Sequence, residues 1–493
     1  MKKGLSKSRI LAHRQCPKRL YLATYRKELA EESASSERAF ASGNRIGEIA
    51  RELERGGRLI GHDMELSMAL RETTEVLETE PRQALFEGTF QHDGVLVRAD
   101  VLKLGSAGRV LTEVKAAASV KDIYLDDCAV QAHVIEDAGY PLQRIEVAHV
   151  DTRFIYPGEG HYDGLLKHVD VTKDVRERMK DVPGWIAACR ETLAGSEPQI
   201  SIGGHCTSPY PCTFFEYCRG PEVENSFPLT SLFQSGKLPQ TLVEEGFTDL
   251  RMVPEDRLKK PIHQRQRRTA ISGEAELDPA VREVLASYPL PRYYFDFESV
   301  HPAVPIWAGT HPYQQVPFQW SCHIETVDGR LLHQGFLALP PDAPMRACAE
   351  SLIKTLTSEG PGAVFVYYQA FEKSRIREFA KMFPDLAPAL KAILERVVDL
   401  LPITRNHYHH PSMGGSWSIK TVLPAIAPDL DYSQLEHVQD GEGASEAYLE
   451  ILDPATTEAR RTELLEALHR YCALDTLAMV RLVQLFEAPT QHP

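Results

Sequence analysis

Two carboxylates stand two residues apart, Asp296 and Glu298, at the end of the bulky run Tyr293-Tyr294-Phe295. Such a run of β-formers predicts a strand, and its period of two puts both acids on one face. Buried together they repel and lose hydration, so they need a cation between them or a strand end open to water. A divalent metal such as Mg²⁺, which prefers oxygen ligands, suits the first alternative. Farther along, Tyr471 and Asp475 fall four residues apart within the helical run 464–486. That spacing stacks them on one helix face, and a charged Asp475 between Leu474 and Leu477 calls for a partner. Metal would supply one; a core helix that simply carries both residues is the alternative. A further acid, Glu372, follows the apolar run 363–368 in Gln369-Ala370-Phe371-Glu372.

A second constellation lies in the first half. Asp100 ends the run 95–102, and Glu113 and Lys115 share one face of the next run, 109–115. Two carboxylates can hold a metal that activates water and neutralises charge on a phosphate, and a lysine beside them can orient the water or offset that charge. An exposed strand with surface charges is the plainer alternative. Three cysteines follow at equal spacing, Cys206, Cys212 and Cys218, in a segment rich in Pro, Gly and aromatics that makes a poor helix and a good ligand loop. With Cys16 far upstream they offer four thiolates. Four thiolates suit a [4Fe–4S] cluster, with Zn²⁺ as the alternative. Cys128, Cys189, Cys322, Cys348 and Cys472 sit in apolar contexts and read as core residues.

The elements that must position these groups can be read in chain order. An amphipathic helix start follows Ser6-Lys7-Ser8 and carries Cys16; a helix is expected over 37–56. The runs 84–90 and 95–102 predict a hairpin turning at His92-Asp93-Gly94, followed by the strand 109–115. A helix over 126–138, capped by Gly139, a strand at 145–150 and a helical stretch over 175–193 complete the first region. A connector at 221–285 has a helix–Gly–helix rhythm about Gly246, similar to a helix-hairpin-helix. Its basic cluster, Arg257, Lys259, Lys260, Arg265, Arg267 and Arg268, is read either as a phosphate-tracking surface or as a solvated helix face. In the last region strands at 293–298, 318–324, 331–336 and 363–368, with a helix at 345–356, predict the order of a ribonuclease H-like fold. Asp399 ends another expected strand, as a spare acid or a simple terminus, and the loop 414–420 lies near the substrate or is a structural turn.

The ordered set hairpin, Asp100, strand with Glu113 and Lys115, then helix with Gln131, resembles the PD-(D/E)XK nuclease core of the RecB-type branch. That resemblance implies Asp100 and Glu113 as metal ligands, with Lys115 and Gln131 in the catalytic set. Where RecB-type enzymes place a metal-binding His on the early helix this chain has Gly47 and Glu48, with Glu48 as a substitute oxygen ligand, and Ile135 stands where a Tyr is usual. The split cysteines resemble the iron–sulfur staple of RecB-like nucleases of CRISPR adaptation and helicase-coupled repair. The later set resembles the DEDDy 3′→5′ exonucleases, which implies Asp296, Glu298, Glu372 and Asp475 as ligands of Mg²⁺ or Mn²⁺ and Tyr471 as the group orienting water. Here Glu372 replaces the usual Asp, and Gln369 the usual Asn. The chain as a whole resembles a bacterial family that joins the two domain types.

The expected class is thus α/β multidomain: a PD-(D/E)XK restriction-endonuclease-like domain at 1–220, a small helical connector at 221–285 and a ribonuclease H-like domain at 286–493. A length of 493 residues requires more than one core, and 43% hydrophobic with 25% charged residues is a globular composition. A net charge of −14 opposes a surface coated by nucleic acid but permits a local basic channel. No apolar run is long enough to span a membrane and Met1-Lys2-Lys3-Gly4 opens no signal peptide, so the cytoplasm is expected. The implied partner is nucleic acid, DNA ahead of RNA. The alternative from a different class is a nucleic-acid-binding scaffold with one or both sites inactive and a structural cluster.

Overall fold

The computed structural model describes residues 4–31, 34–61, 64–80, 83–105, 108–220, 227–430, 432, 435 and 437–489, without the side chains of 34–41. The chain divides into two compact units rather than three. The first comprises 1–222 with 302–314, and the second 223–301 with 315–493.

The first unit is built on a seven-stranded mixed sheet. Its strands are β1 (Leu5–Ser6), β2 (Arg58–Leu59), β3 (Leu85–His92), β4 (Val95–Gly105), β5 (Gly108–Lys115), β6 (Leu142–Val150) and β7 (Leu166–Asp170). The spatial order is β2-β3-β4-β5-β6-β7, with β1 parallel to β4. The expected hairpin forms: β3 and β4 are antiparallel, and both Asp93 (φ 43°) and Gly94 (φ 70°) turn left-handed, as a two-residue hairpin loop requires. The helices are α1 (Lys7–Gln15), α2 (Pro17–Tyr25), α3 (Ala34–Leu53), α4 (Leu66–Thr79), α5 (Asp122–Asp137), α6 (Thr172–Met179), α7 (Val182–Ala194) and α8 (Phe215–Arg219). Helix α5 is the central one. Ala129, Val130, Ala132 and Ile135 are buried in the same core as Leu85, Val97 and Leu111. It ends where Gly139 (φ 97°) lets Tyr140 N–H reach back to Ile135 O at 3.1 Å. The stretch 175–193 is two helices, because Pro183 stands in the first turn of α7 and restarts the helix there.

The second unit begins with the expected connector, whose described residues 227–285 belong to it and are not a separate body. The reason lies in packing. Helices α10 (Pro261–Ser272) and α11 (Val281–Ala286) and strand β8 (Glu276–Leu277) supply Ile262, Leu277, Val281 and Leu285 to the unit's main core, whereas α9 (Leu238–Glu244) places Leu242 in a smaller core with Leu229, Leu232, Leu250, Val253 and Leu258. The helix-hairpin-helix expectation is corrected too. Gly246 (φ 94°) ends the first helix, but the chain then makes only 3-10 turns at Leu250–Met252 and Glu255–Arg257.

The unit's principal sheet contains β9 (Arg292–Val300), β10 (Val316–Glu325), β11 (Leu331–Leu337), β12 (Ala363–Val366) and β13 (Val397–Asp399), in the order β11-β10-β9-β12-β13. Strands β9, β12 and β13 run parallel, and β10 and β11 are antiparallel. Tyr293, Tyr294 and Phe295 are fully buried, so β9 forms the centre of this sheet. A short strand β14 (Tyr408–His409) pairs with β8. Around the sheet lie α12 (Pro344–Thr355), α13 (Gln369–Met382), α14 (Ala387–Leu394), α15 (Leu400–His407), α16 (Ile419–Ile426), α17 (Gly441–Leu452) and the 30-residue α18 (Glu458–Glu487). The 302–314 segment leaves after β9 and joins the first unit, where Tyr156 N–H bonds Thr310 O at 2.9 Å.

Candidate active site: two carboxylate clusters

In the second unit, β9 presents Asp296 and Glu298 on one face, opposite the register shift between Pro317 and Gln319 of β10. A bulge at this point bends the partner strand and re-aims its side chains, a device common beside functional sites. From the first turns of α13 comes Glu372, 2% exposed, and from α18 come Tyr471 (2%) and Asp475 (5%). These residues converge. Asp475 and Glu298 are the strongest charges acting on Asp296, and Asp475 is the strongest on Glu298. Burial, then this mutual repulsion, pushes Asp296 and Glu298 well above the usual carboxylate range. Burial likewise lifts Glu372 to about 8, and Asp475 to about 6 although hydrogen bonds from Tyr432 and Tyr471 oppose the shift. Glu372 Oε2 is buried with no hydrogen-bond partner. The set is crowded, and short of protons or cations to satisfy it.

Three further residues complete this cluster, one of them, Lys420, from the loop 414–420 that the sequence reads as near the substrate or as a turn. Tyr432 donates its hydroxyl to Asp475 Oδ1. The Cys472 thiol, expected in the core and fully buried there, lies within 4.8 Å of oxygens of both Asp296 and Glu298. Lys420, from the 414–420 loop into α16, has its ammonium 5.1 Å from the Tyr471 ring centre and 5.8 Å from that of Tyr432. Asp399 is a cap, not a ligand: its carboxylate accepts N–H bonds from Tyr368 (3.0 Å), Gln369 (3.1 Å) and Leu401 (3.0 Å). It thereby fixes the start of α13, and so Glu372.

The first unit gathers its own acids differently. Asp100 accepts the Val114 N–H at 2.7 Å. Glu113, 1% exposed, takes Lys115 Nζ at 2.6 Å and Lys7 Nζ at 3.0 Å on one oxygen, and Gln131 Nε2 at 2.6 Å on the other. Asp127, on α5 one turn before Gln131, takes Lys7 at 3.0 Å, Lys115 at 2.8 Å and Gln131 at 2.9 Å. Burial and then Asp100 and Asp127 lift Glu113 to about 7. Burial would also raise Asp127, but Lys7 and Lys115 reverse the sign and hold it low. Burial would lower both lysines; their carboxylate neighbours overcome it and raise them. Lys7 and Asp127 were not foreseen. The signal for Asp127 was present: an acid inside an apolar helix, four residues before Gln131. Glu48 does not join the cluster; it is exposed and pairs with Arg45 at 3.0 Å, because its side of α3 faces solvent.

Cys16, Cys206, Cys212 and Cys218 line one cavity, with Leu22, His205 and Phe214 among its walls. Cys16 stands at the junction of α1 and α2, and Gln15 beside it donates to the carbonyls of His205 and Tyr210, both at 2.7 Å. Burial raises the Cys218 thiol, and Cys212, Cys16 and Cys206 add to the rise. Among the described residues, no three of these four sulfurs lie within 4.8 Å of one another.

The basic cluster of the connector is engaged internally. Arg257 pairs with Glu245, and Arg268 with Glu255 and Glu276. Arg265 bonds Glu276 and the Asn406 carbonyl. Lys259, Lys260 and Arg267 donate to the carbonyls of Asp256, Gln234 and Val253. These partners give the cluster a structural role, while Arg257, Lys259, Lys260 and Arg268 remain exposed. Among the described residues no helix is long and apolar enough to cross a membrane.

Compared with known proteins, residues 293–418 match a domain of unknown function, DUF2779. The match spans β9 to the loop before α16, and so includes Asp296, Glu298 and Glu372. An uncharacterized protein of Mycoplasma genitalium, MG366, is 26% identical over 211 residues, covering 39% of this chain and 31% of its own length. Its homolog in Mycoplasma pneumoniae is 27% identical over 215 residues, covering 40% and 32%. The chain thus spans about a third of the length of these curated relatives.

Proposed function

We propose that the chain is a metal-dependent nuclease whose second unit hydrolyses nucleic-acid phosphodiester bonds from 3′ ends. The observation that carries this reading is the convergence of half-buried Asp296 with buried Glu298, Glu372 and Asp475, acids from three elements, with Tyr471 beside them and Glu372 Oε2 unpartnered. The carboxylate oxygens of this set fit Mg²⁺ or Mn²⁺, with the Cys472 sulfur beside them. Such ions would lower the pKa of a water and offset charge on the phosphate and the leaving oxygen. The sheet order around β9 supports a ribonuclease H-like fold. Burial and the neighbouring acids push Tyr471 far up, so its hydroxyl stays protonated; with that proton on Asp475, its oxygen can orient a water by accepting from it. Tyr432 holds Asp475 in place through its own hydroxyl.

In the first unit the same reading assigns Asp100, Glu113, Lys115 and Gln131 to a PD-(D/E)XK-type site and the four cysteines to a [4Fe–4S] cluster. A tetrahedral Zn²⁺ is the alternative occupant of four thiolates. One observation favours a second reading for the acids: Lys7 bridges Glu113 and Asp127, so this group is also built as a self-neutralised structural network. A role in DNA repair or defence follows from the nuclease reading.

The decisive experiment is a panel of labelled single- and double-stranded DNA and RNA, with Mg²⁺, Mn²⁺ or EDTA, comparing wild type, Asp296→Ala and Lys115→Ala. Metal-dependent release of mononucleotides, stopped by a 3′ phosphorothioate and by Asp296→Ala, is expected. Loss through Lys115→Ala alone would move the activity to the first unit, and no cleavage by wild type would favour a binding scaffold. For the cysteines, anaerobically purified protein should be brown with about four iron and four sulfide per chain. Colourless protein with stoichiometric zinc would reverse the assignment.

A further inference from the structure

Four crowded carboxylates without an ion pair would be expected to draw in any unrestrained lysine. Lys420 is close enough to act on two of them, since its charge opposes the upward shifts of Glu298 and Asp475. Among the described residues, however, no carboxylate comes within 4.0 Å of its Nζ. The ammonium is held instead over the faces of Tyr471 and Tyr432, at 5.1 and 5.8 Å. Ring quadrupoles attract a cation without consuming its hydrogen-bond donors. Its position is fixed from below as well: Ser418 Oγ caps α16 by accepting the Thr421 N–H at 3.2 Å, and Trp417 is buried with its ring N–H on the Tyr408 carbonyl at 2.8 Å. The loop is therefore anchored on both sides of a lysine whose ammonium meets no hydrogen-bond or ion-pair partner among the described residues.

We infer that Lys420 contacts substrate, its ammonium taking a nonbridging oxygen of the phosphodiester that is cut over Asp296, Glu298, Glu372 and Asp475. This rests on the nuclease reading above and adds to it a charged group from outside the acid set. A lysine serves phosphate as a point charge with free donors, and Lys420 alone among the residues described around this cluster offers that. In hydrolysis the water oxygen bonds to phosphorus and releases one proton to solvent, the phosphorus–O3′ bond breaks, and the electron pair leaves on the 3′ oxygen, which takes a proton from solvent. Lys420 exchanges no proton; it offsets charge on the phosphoryl oxygens, where it is worth most as that charge is redistributed.

The test uses the full chain with Lys420→Gln and Lys420→Arg, and two readouts. The first is kcat and KM on a 5′-labelled oligonucleotide with Mn²⁺; the second is binding of a nucleoside 5′-monophosphate and of the matching nucleoside with Ca²⁺. Lys420→Gln should lower kcat/KM and nucleotide affinity by about 10–100-fold, the range of a hydrogen bond to a charged group. Affinity for the nucleoside and the Mn²⁺ titration should stay unchanged, and Lys420→Arg should recover most of both losses. Wild-type values for Lys420→Gln, or equal weakening of nucleoside and nucleotide, would overturn the inference while leaving the nuclease reading intact. A wild-type protein that neither cuts nucleic acid nor binds nucleotide removes the nuclease reading, and this contact with it.

Discussion

Each unit gathers a group of carboxylates on and beside the inner strands of its sheet, and the two groups are satisfied in opposite ways. In the first, Asp100, Glu113 and Asp127 meet Lys7, Lys115 and the Gln131 amide, so nearly every carboxylate oxygen has a donor. In the second, Asp296, Glu298, Glu372 and Asp475 meet two tyrosine hydroxyls and a lysine that stands off. Removing a charge from water costs several kcal/mol unless an opposite charge or hydrogen bonds replace the lost solvent. The first group carries most of that compensation within the chain. The second does not, and an external cation is the simplest way to supply it. The contrast separates a site that can stand alone from one that is incomplete by itself.

The largest expected effect tests that incompleteness. Asp296→Ala should lower 3′-end hydrolysis by roughly 10³-fold or more, because it deletes a ligand shared by the whole cluster. It should also stabilise the metal-free chain, since one of four repelling acids is gone. A variant that kept a tenth of wild-type activity would place the chemistry elsewhere. Tyr471→Phe keeps the ring under Lys420 and removes only the hydroxyl. Its loss should be on the order of 10²–10⁴-fold in kcat, as for a positioned proton-transfer group. Unchanged kcat would make Tyr471 a packing residue.

Much of this contrast was legible in the sequence, and what was not has a common cause. Asp296 with Glu298, and Tyr471 with Asp475, are local patterns, fixed by a period of two and by a spacing of four. The hairpin before Asp100 was equally local, set by Asp93-Gly94. Lys7, Lys420 and Tyr432 join their clusters only through tertiary placement: Lys7 reaches Glu113 across 106 positions, and Tyr432 reaches Asp475 across 43. No pattern within a helix or strand announces such partners. The connector misled for a related reason. Its arginines and lysines look like a basic face in sequence, but Glu245, Glu255, Glu276 and nearby carbonyls engage their donors while Arg257, Lys259, Lys260 and Arg268 stay exposed.

In the first unit the compensating cation can be removed. Lys7→Met keeps the length of the side chain and deletes the ammonium that bridges Glu113 and Asp127. Breaking one partner of a buried pair costs about 3–5 kcal/mol. Lys7 retains 21% side-chain exposure, so solvent screening places the expected loss nearer about 2–3 kcal/mol. Denaturant unfolding of the full chain should show a destabilised transition that Lys7→Arg largely restores. Added Mg²⁺ should recover part of the loss in Lys7→Met and little in wild type. An unshifted transition would mean that Lys115 and Gln131 satisfy the acids without help.

The smallest effect is the dependence of stability on pH, and it distinguishes the clusters by sign with metal present or absent. Glu372 and Asp475 have ordinary values of 4.5 and 3.8 and are lifted to about 8 and about 6, mainly by burial. Below the ordinary values, folded and unfolded chains both hold these protons, and the contribution to stability is complete. As pH rises through 4.5 and on towards about 8, the unfolded chain releases a proton that the folded chain still keeps. Stability must therefore fall with pH in this window when no divalent ion is bound. Ion binding favours the ionised acids and reverses the trend, so the stabilisation by Mg²⁺ should grow from about pH 5 to about pH 8, by on the order of 2 kcal/mol. Asp296→Asn removes one repelling charge and should flatten both curves. Melting curves with EDTA and with saturating Mg²⁺ across that range measure the difference directly. A Mg²⁺ effect that did not change with pH would mean that the four acids are already ionised without metal, and the second cluster would then resemble the first.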